Sequence, residues 1–518
     1  MHNCTEGKEP PYAERHVRWC ERSENKSRRK THYFCFPPTL LQLNCYLYRL
    51  ETTEAMRLHP LRTVSLSCLL LCLLLLQACA GVHAPRATRA DRTLLKEHIY
   101  ADYKQMYRQP AGDALLYPYI TPGSQAYDSV LWDWDSWLSD VALRQILADI
   151  GTDADREEAL VYERGCILNY LAYTSEEDGY MPMVVDGKSD PARMRPADIY
   201  ATNMHKPCIA QHAALLVRES GGDAQWLREG FPRMRAFLRN YREHHRHIPT
   251  GLFYWQDDLA IGVDNDPATF FRPKGSSASI YLNCLMYKEL RAMAYLSGRR
   301  DLPDAAAQYT AQAQELLEAI RRYCWDEKDG MYYSVDINLL PYTGEPQTIF
   351  GTSMVLHEGA PRDYPCLIQR LGSWDGFMAL WAGVATPEQA QRMVRENLLD
   401  TRTWCAAYGV RTLSRLEPMY NLRPTHNPSN WQGPVWGISN YMVWRGLVDY
   451  GMVREARELA AKTVALFGRD LRQEGALHEY YDPDTGAPII NKGFQNWNYL
   501  VLNMIAWLEG RPVIQEFN

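Results

Sequence analysis

Four stretches of the chain combine carboxylates with aromatic rings, Gly or Pro: WDWDSW (Trp132–Trp137), DDLAIGVDNDP (Asp257–Pro267), NWQGPVWGISNY (Asn430–Tyr441) and HEYYDPDTG (His478–Gly486). A carboxyl group set against aromatic walls loses hydration, which disfavours its charged form and raises its pKa. Indole and phenol rings also offer flat faces on which sugar rings stack. Hydrolysis of a glycosidic bond needs two carboxyl groups, one neutral acid beside the leaving oxygen and one base or nucleophile opposite. Asp264 and Glu479 lie on different stretches and meet that requirement if the chain brings them together. Each also has a plainer reading. Asp264-Asn265 before a Pro builds turns, Glu479 stands beside the turn signal DPDTG, and Trp132, Trp134 and Trp137 suit a helix core. A calcium loop at Asp264-Asn265-Asp266 fails the EF-hand pattern, because Pro267 and Thr269 stand where Gly and further ligands belong. No metal or cofactor is expected, a structural calcium elsewhere being conceivable but not predicted. His478 reads as a hydrogen-bonding neighbour, since no second His stands at metal spacing.

The elements that must carry these residues are helical. Leu227, Phe231, Met234, Leu238 and Tyr241 follow the spacing of one buried helix face, as do Leu282, Leu285, Met286, Leu290 and Met293. The latter helix has Ser276 or Ser277 available as its N-cap. Tyr309 to Tyr323, Met452 to Phe467 and Leu500 to Leu508 repeat the pattern, and Thr386-Pro387-Glu388-Gln389 is a capping box opening a helix through Met393. Between helices, GLFYW (Gly251–Trp255) and GMYYSVD (Gly330–Asp336) read as short strand-like excursions. About a dozen helices with chemistry on their connectors predict an all-α helical toroid. No βαβ alternation or GxGxxG suggests a nucleotide-binding sheet.

In the same order along Leu131–Leu508, these motifs resemble glycoside hydrolase family 63, which includes processing α-glucosidase I, bacterial α-glucosidases and mannosylglycerate hydrolases. GVDNDP (Gly262–Pro267) is similar to the family's G-x-D-N-S-P segment, WDSW to a sugar-subsite segment, NWQGPVW to W-R-G-P-V-W, and HEYYDPDTG to the general-base segment. Trp374–Val394 and Ala407–Tyr420 also resemble family segments. The resemblance implies an (α/α)6 barrel, or six-hairpin toroid, and an inverting hydrolase of α-glucosidic or α-mannosidic bonds. It implies Asp264 as general acid and Glu479 as general base, with Trp134, Asp135, Asp258, Asn265, Trp431, Gln432, Gly433 and Trp436 around the sugar. Inversion would set the two carboxyl groups roughly 6.5–9.5 Å apart, leaving room for one water. Two positions depart from the pattern. Gln432 replaces the usual Arg, removing a charged donor fork. Asp266 replaces the usual Ser and, if ionised, would hold the Asp264 proton more tightly. A trehalase-like or mannosylglycerate-hydrolase-like activity is the alternative within this fold, and a carbohydrate-binding lipoprotein without catalysis is the alternative outside it.

Bulk composition agrees with a globular chain: 518 residues, 46% hydrophobic, 23% charged, 15 Trp and 33 Tyr against 12 Phe. A net charge of −6 gives no pull toward nucleic acid, so the expected partner is an oligosaccharide or small glycoside. Seven of the thirteen cysteines precede residue 80, and the others are scattered singly, so no disulfide framework is expected. From Met56 the chain reads as an export signal, with Arg57 and Arg62, an apolar run over Val64–Leu76, and LQAC ending at Cys79. The last four residues resemble a lipobox, which implies lipidation at Cys79 and a bacterial lipoprotein of the outer membrane, facing the periplasm or cell surface. Residues 1–55 would then be an upstream extension outside the native protein and disordered, 56–79 the signal, and 80–518 one glycosidase domain. The membrane contact expected is the lipid anchor alone.

Overall fold

The computed structural model describes residues 86–339, 347–355, 364–423 and 427–517. The expected leader, signal segment and Cys79 lie outside these residues. Among them no helix is long and apolar enough to cross a membrane, and the cysteines are free.

The fold is mostly helical, and its helices are of two kinds. Asp133–Ile150 is buried from Asp133 through Leu147, Ile209–Glu219 from Ile209 through Val217, and Gly437–Asp449 from Gly437 through Leu447. Helices apolar or enclosed all round belong to an interior. Ile280–Arg299, Met378–Trp381 and Val501–Leu508 are similarly enclosed. Against them lie helices with a single buried stripe, such as Pro303–Tyr323, which buries Tyr309, Ala313, Leu316, Leu317, Ala319 and Ile320. Asp153–Ala172 is likewise buried on part of its surface, whereas Val453–Glu474 is enclosed over Lys462–Gly468. The enclosed helices pack on one another in the order 133–150, 209–219, 280–299, 378–381, 437–449 and 501–508, and the last also touches the first.

Local chemistry fixes the helix starts. Thr386 and Gln389 form the expected capping box before Pro387, and the helix continues beyond Arg392 as a π-helix over Met393–Leu398. The helix at Ile280 is capped by Ser279 and not by Ser276 or Ser277. Both are engaged elsewhere: Ser277 pairs as a strand with Asp336 and bridges to Trp255, and the Ser276 carbonyl accepts from the Ile337 amide (2.9 Å). GMYYSVD forms two short strands, Met331–Tyr332 and Val335–Asp336. GLFYW forms none and contributes only isolated bridges at Phe253 and Trp255.

Short pairings place three of the acidic-aromatic stretches, two of them at the beginnings of enclosed helices. Val130–Trp132 pairs antiparallel with Val184–Asp186 and runs directly into the helix at Asp133. Val435–Trp436 pairs with Tyr480–Tyr481, opposing Trp436 to Tyr480, and Tyr480–Tyr481 pairs in turn with Pro488–Ile490. One small sheet therefore joins NWQGPVW to HEYYDPDTG.

Candidate active site

Asp264 and Glu479 line one cleft of about 600 Å3. Trp134, Asp135, Asp258, Trp431 and Trp436 line it with them. Asn265, Gln432 and Gly433 lie behind that lining. Gln432 Nε2 donates to the Asn265 carbonyl (3.2 Å), and Asn265 Nδ2 donates to the Ser429 carbonyl (3.3 Å). Gly433 has φ +140, and a Cβ there would lie 2.5 Å from the Tyr420 ring. These three residues shape the wall.

The wall is a continuous aromatic surface. Trp431 stacks on Trp436 with centroids 4.1 Å apart, Trp436 stacks on Tyr480 at 4.6 Å, and Trp134 meets Trp431 and Trp497 at 5.8 and 5.4 Å. Trp132 also reaches the cleft, whereas Trp137 is core against Trp381. Of the aromatics flanking the acidic segment only Phe270 lines the cleft. Trp255 is buried near Tyr281, and Phe271 points to solvent.

Glu479 is held on both oxygens. Tyr127 Oη donates to Glu479 Oε1 (2.9 Å), and Asn491 donates its amide to Oε2. Burial pushes the Glu479 carboxyl up to about 7, while the two donors pull it back and the Asp264 charge raises it further. Asp264 is raised chiefly by burial, against the Asn427 amide and then the Lys206 charge. Asn427 Nδ2 donates to Asp264 Oδ2 at 3.2 Å. Burial also pushes Asp135 and Asp258 up to about 8. Near neutral pH both are therefore mostly protonated and able to donate as well as accept.

Asp266 does not act as its sequence position implied. Asn265 sits in the left-handed region at φ +60, a conformation that Asn tolerates better than most residues, and Asp264 and Asp266 diverge across it. Asp264 meets the cleft. Asp266 is buried, accepting from the Ala268 amide (3.1 Å) and the Thr269 hydroxyl (3.2 Å). Burial holds it at about 6, and its charge is felt by the buried Asp375 and by Asp258. The influences that dominate Asp264 are burial, Asn427 and Lys206.

Lys206, Tyr127, Asn427 and Trp497 line the cleft from outside the four motifs. Lys206 is buried, and its Nζ donates to Asp133 Oδ1 (2.8 Å) and to the Ala260 carbonyl (3.2 Å), 5.4 Å from the centre of the Trp134 ring. Gly262 makes room for this packing: at φ +92, a Cβ there would come within 2.5 Å of Lys206 Cε. His478 bonds through Nδ1 to Asp470 (2.9 Å). Among the described residues no group of three or more His, Cys, Asp or Glu converges to hold a metal ion.

Tyr127→Phe isolates one of the two donors on Glu479. The lost hydroxyl favoured the carboxylate, so its removal raises the Glu479 pKa. With Glu479 as the general base the ionised form is the active one, and the acidic limb of the kcat/KM profile should then move to higher pH, by about half a unit to one unit. An unmoved limb in a folded variant would show that Tyr127 does not tune this carboxyl.

A mostly helical fold with paired carboxyl groups in a tryptophan-lined cleft defines the class of protein, a glycoside hydrolase. Residues 130–498 match the family model of the mannosylglycerate hydrolase MGH1-like glycoside hydrolase domain, and the chain belongs to that family. Mannosylglycerate hydrolase MGH1 of Selaginella moellendorffii is 24% identical over 433 residues, covering 73% of this chain and 80% of that protein. The mannosylglycerate hydrolase of Thermus thermophilus is 28% identical over 214 residues, 41% of this chain and 40% of that one. A solved structure of a GH63 mannosylglycerate hydrolase from the same species, in complex with glucose, aligns with a TM-score of 0.54 at 20% identity, over 78% of this chain and 99% of that chain. Neutral trehalase Nth1 of Saccharomyces cerevisiae aligns at 0.52 with 16% identity, over 80% of each chain. The fold is thus that of the GH63 and trehalase glycosidases.

Proposed function

We propose that the protein hydrolyses α-linked glucosides or mannosides with inversion, Asp264 acting as general acid and Glu479 as general base. The observation that carries this reading is that two carboxyl groups far apart in sequence, both raised by burial, face one aromatic cleft. Asp264 gives its proton to the glycosidic oxygen as the C1–O bond breaks, with the bonding pair passing to that oxygen. Glu479 takes a proton from the water that attacks C1 on the opposite face. Trp134, Asp135, Asp258, Trp431 and Trp436 are the proposed sugar contacts, with Asn265, Gln432 and Gly433 supporting them. We further read the helices as an (α/α)6 barrel, a reading supported by the sequence of contacts among the enclosed helices.

Five carboxyl groups line the cleft, Asp135, Asp257, Asp258, Asp264 and Glu479, while its Lys206 is already tied to Asp133. Asp135 and Asp258 are mostly protonated near neutral pH and Asp257 pairs with Lys274 (3.0 Å), so the lining is polar rather than strongly anionic and suits neutral and carboxylate-bearing aglycones alike. Proton NMR of the first turnovers tests the mechanism. The β-anomer of the released sugar should appear before mutarotation, whereas the α-anomer appearing first would mean retention. The Cys79 lipid anchor at the outer membrane is proposed from LQAC alone. Mass spectrometry of the mature N-terminus tests it, since an unmodified peptide from residues 1–55 would refute both start site and anchor.

A further inference from the structure

The segment Asn427–Gln432 touches both halves of the site. On the acid side Asn427 Nδ2 donates to Asp264 Oδ2 (3.2 Å), the Ser429 carbonyl accepts from Asn265 (3.3 Å), and Gln432 donates to the Asn265 carbonyl (3.2 Å). On the base side the Pro428 carbonyl accepts from the hydroxyl of Tyr480, the residue after Glu479. The segment is stiffened from within. Trp431 Nε1 donates to Ser429 Oγ (3.2 Å), Asn430 Nδ2 donates to the Asn421 carbonyl (2.8 Å), and Trp436 Nε1 donates to the Asn430 carbonyl (3.0 Å). The acid loop and the base strand are thereby spaced by one short piece of chain.

From this geometry we infer that Asn427 is a positioning residue for proton donation, fixing the orientation of the Asp264 carboxyl while the strap behind it sets the distance between acid and base. The inference rests on Asp264 being the general acid. An amide suits the task on chemical grounds. Its N–H donates to the carboxyl oxygen, so it orients the group and stabilises the carboxylate left when the proton departs. It carries no charge, so it does not strip the proton from the resting acid as an Arg or Lys at the same place would. The strap also gives Gln432 a role that its replacement of Arg left open. It secures the backbone next to the acid without placing a second cation there.

The test compares substrates that need the acid with substrates that do not. Methyl α-glucoside and methyl α-mannoside expel an alkoxide and require protonation; the corresponding α-glycosyl fluorides expel fluoride and depend on it far less. For Asn427→Ala, turnover of the methyl glycosides should fall about tenfold, against less than about twofold for the fluorides. The basic limb of kcat/KM should move to higher pH, because the lost donor had favoured the ionised carboxyl. Asn427→Asp, which adds a negative charge beside the acid, should move the limb further the same way. Equal losses on both substrate types with an unmoved limb, or no loss at all, would overturn the inference. Asp264→Asn run alongside separates the two claims: if it loses equally on methyl glycosides and fluorides, the acid assignment itself fails. If Asp264→Asn spares the fluorides while Asn427→Ala does not discriminate, only the positioning role fails.

Discussion

Glu479→Gln should lower kcat on every α-glycoside by about a thousandfold or more, and Asp264→Asn by a similar factor on unactivated ones, since general acid and base catalysis each contribute about 10²–10⁴. Both substitutions keep the shape of the side chain, so the aromatic wall and the volume of the cleft should persist. The two variants then part company. With Asp264 neutralised, a glycosyl fluoride leaves unaided and much of the rate should return, because Glu479 still activates water. With Glu479 neutralised no such recovery is expected: the attacking water lacks its base whatever the leaving group. In Glu479→Gln the new amide must also face Tyr127 Oη and the Asn491 amide, both of which donate to the native carboxylate. Tyr127 can rotate its hydroxyl and Asn491 can turn its amide, so folding should survive. Kinetics on paired substrates and calorimetric sugar binding measure both effects. Full activity in either variant would move the chemistry to another carboxyl of the cleft.

Lys206→Met should cost roughly 3–5 kcal/mol of folding stability, as expected when one partner of a buried ion pair is removed. Asp133 and Lys206 are about 1% exposed, so solvent cannot make good the loss. Asp133 would keep the backbone amides of Trp134 (2.7 Å) and Lys206 (2.8 Å) but lose its counter-charge at the first turn of the enclosed helix. Guanidinium unfolding of wild type and variant reads the effect. The double variant Asp133→Asn, Lys206→Met should recover part of it, because an unpaired neutral amide is less costly to bury than an unpaired carboxylate. Activity should respond separately. The Lys206 charge favours the ionised form of Asp264, so its removal raises that pKa and shifts the basic limb upward. A midpoint unchanged from wild type would show that the pair stabilises nothing.

Where acid, aromatic ring and turn former are neighbours in the chain, the chemistry was legible in the sequence. GVDNDP, NWQGPVW and HEYYDPDTG each send residues to the one cleft, Asp264, Trp431, Trp436 and Glu479 among them, and the helices around them show their period. What stayed hidden depends on the path of the backbone. Lys206 belongs to no acidic-aromatic run and becomes a cleft residue only because Asp133 and the Ala260 carbonyl hold it there. Tyr127 follows Ser124, a non-glycine residue at φ +61, and its tie to Glu479 spans 352 residues. Asp266 looked like a partner of Asp264 because the two are nearly adjacent, yet the left-handed turn at Asn265 sends one to the cleft and the other inward. The misplaced N-cap has the same cause: Ser277 was free to cap in sequence but is taken by a strand in space.

The aromatic wall has a use beyond shaping the cleft. Trp132, Trp134, Trp431, Trp436 and Trp497 line the cleft, five of the fifteen tryptophans in the chain. Indole emission responds to the polarity and hydrogen bonding around the ring. Trp134, Trp431, Trp436 and Trp497 are 1–4% exposed and Trp132 is half-buried, so a bound sugar perturbs the emission chiefly through Trp132 and the edges of the other four. The enzyme therefore carries its own optical gauge of occupancy. With the Asp264→Asn variant a candidate glycoside can be ranked by unlabelled titration, without waiting for it to be cleaved.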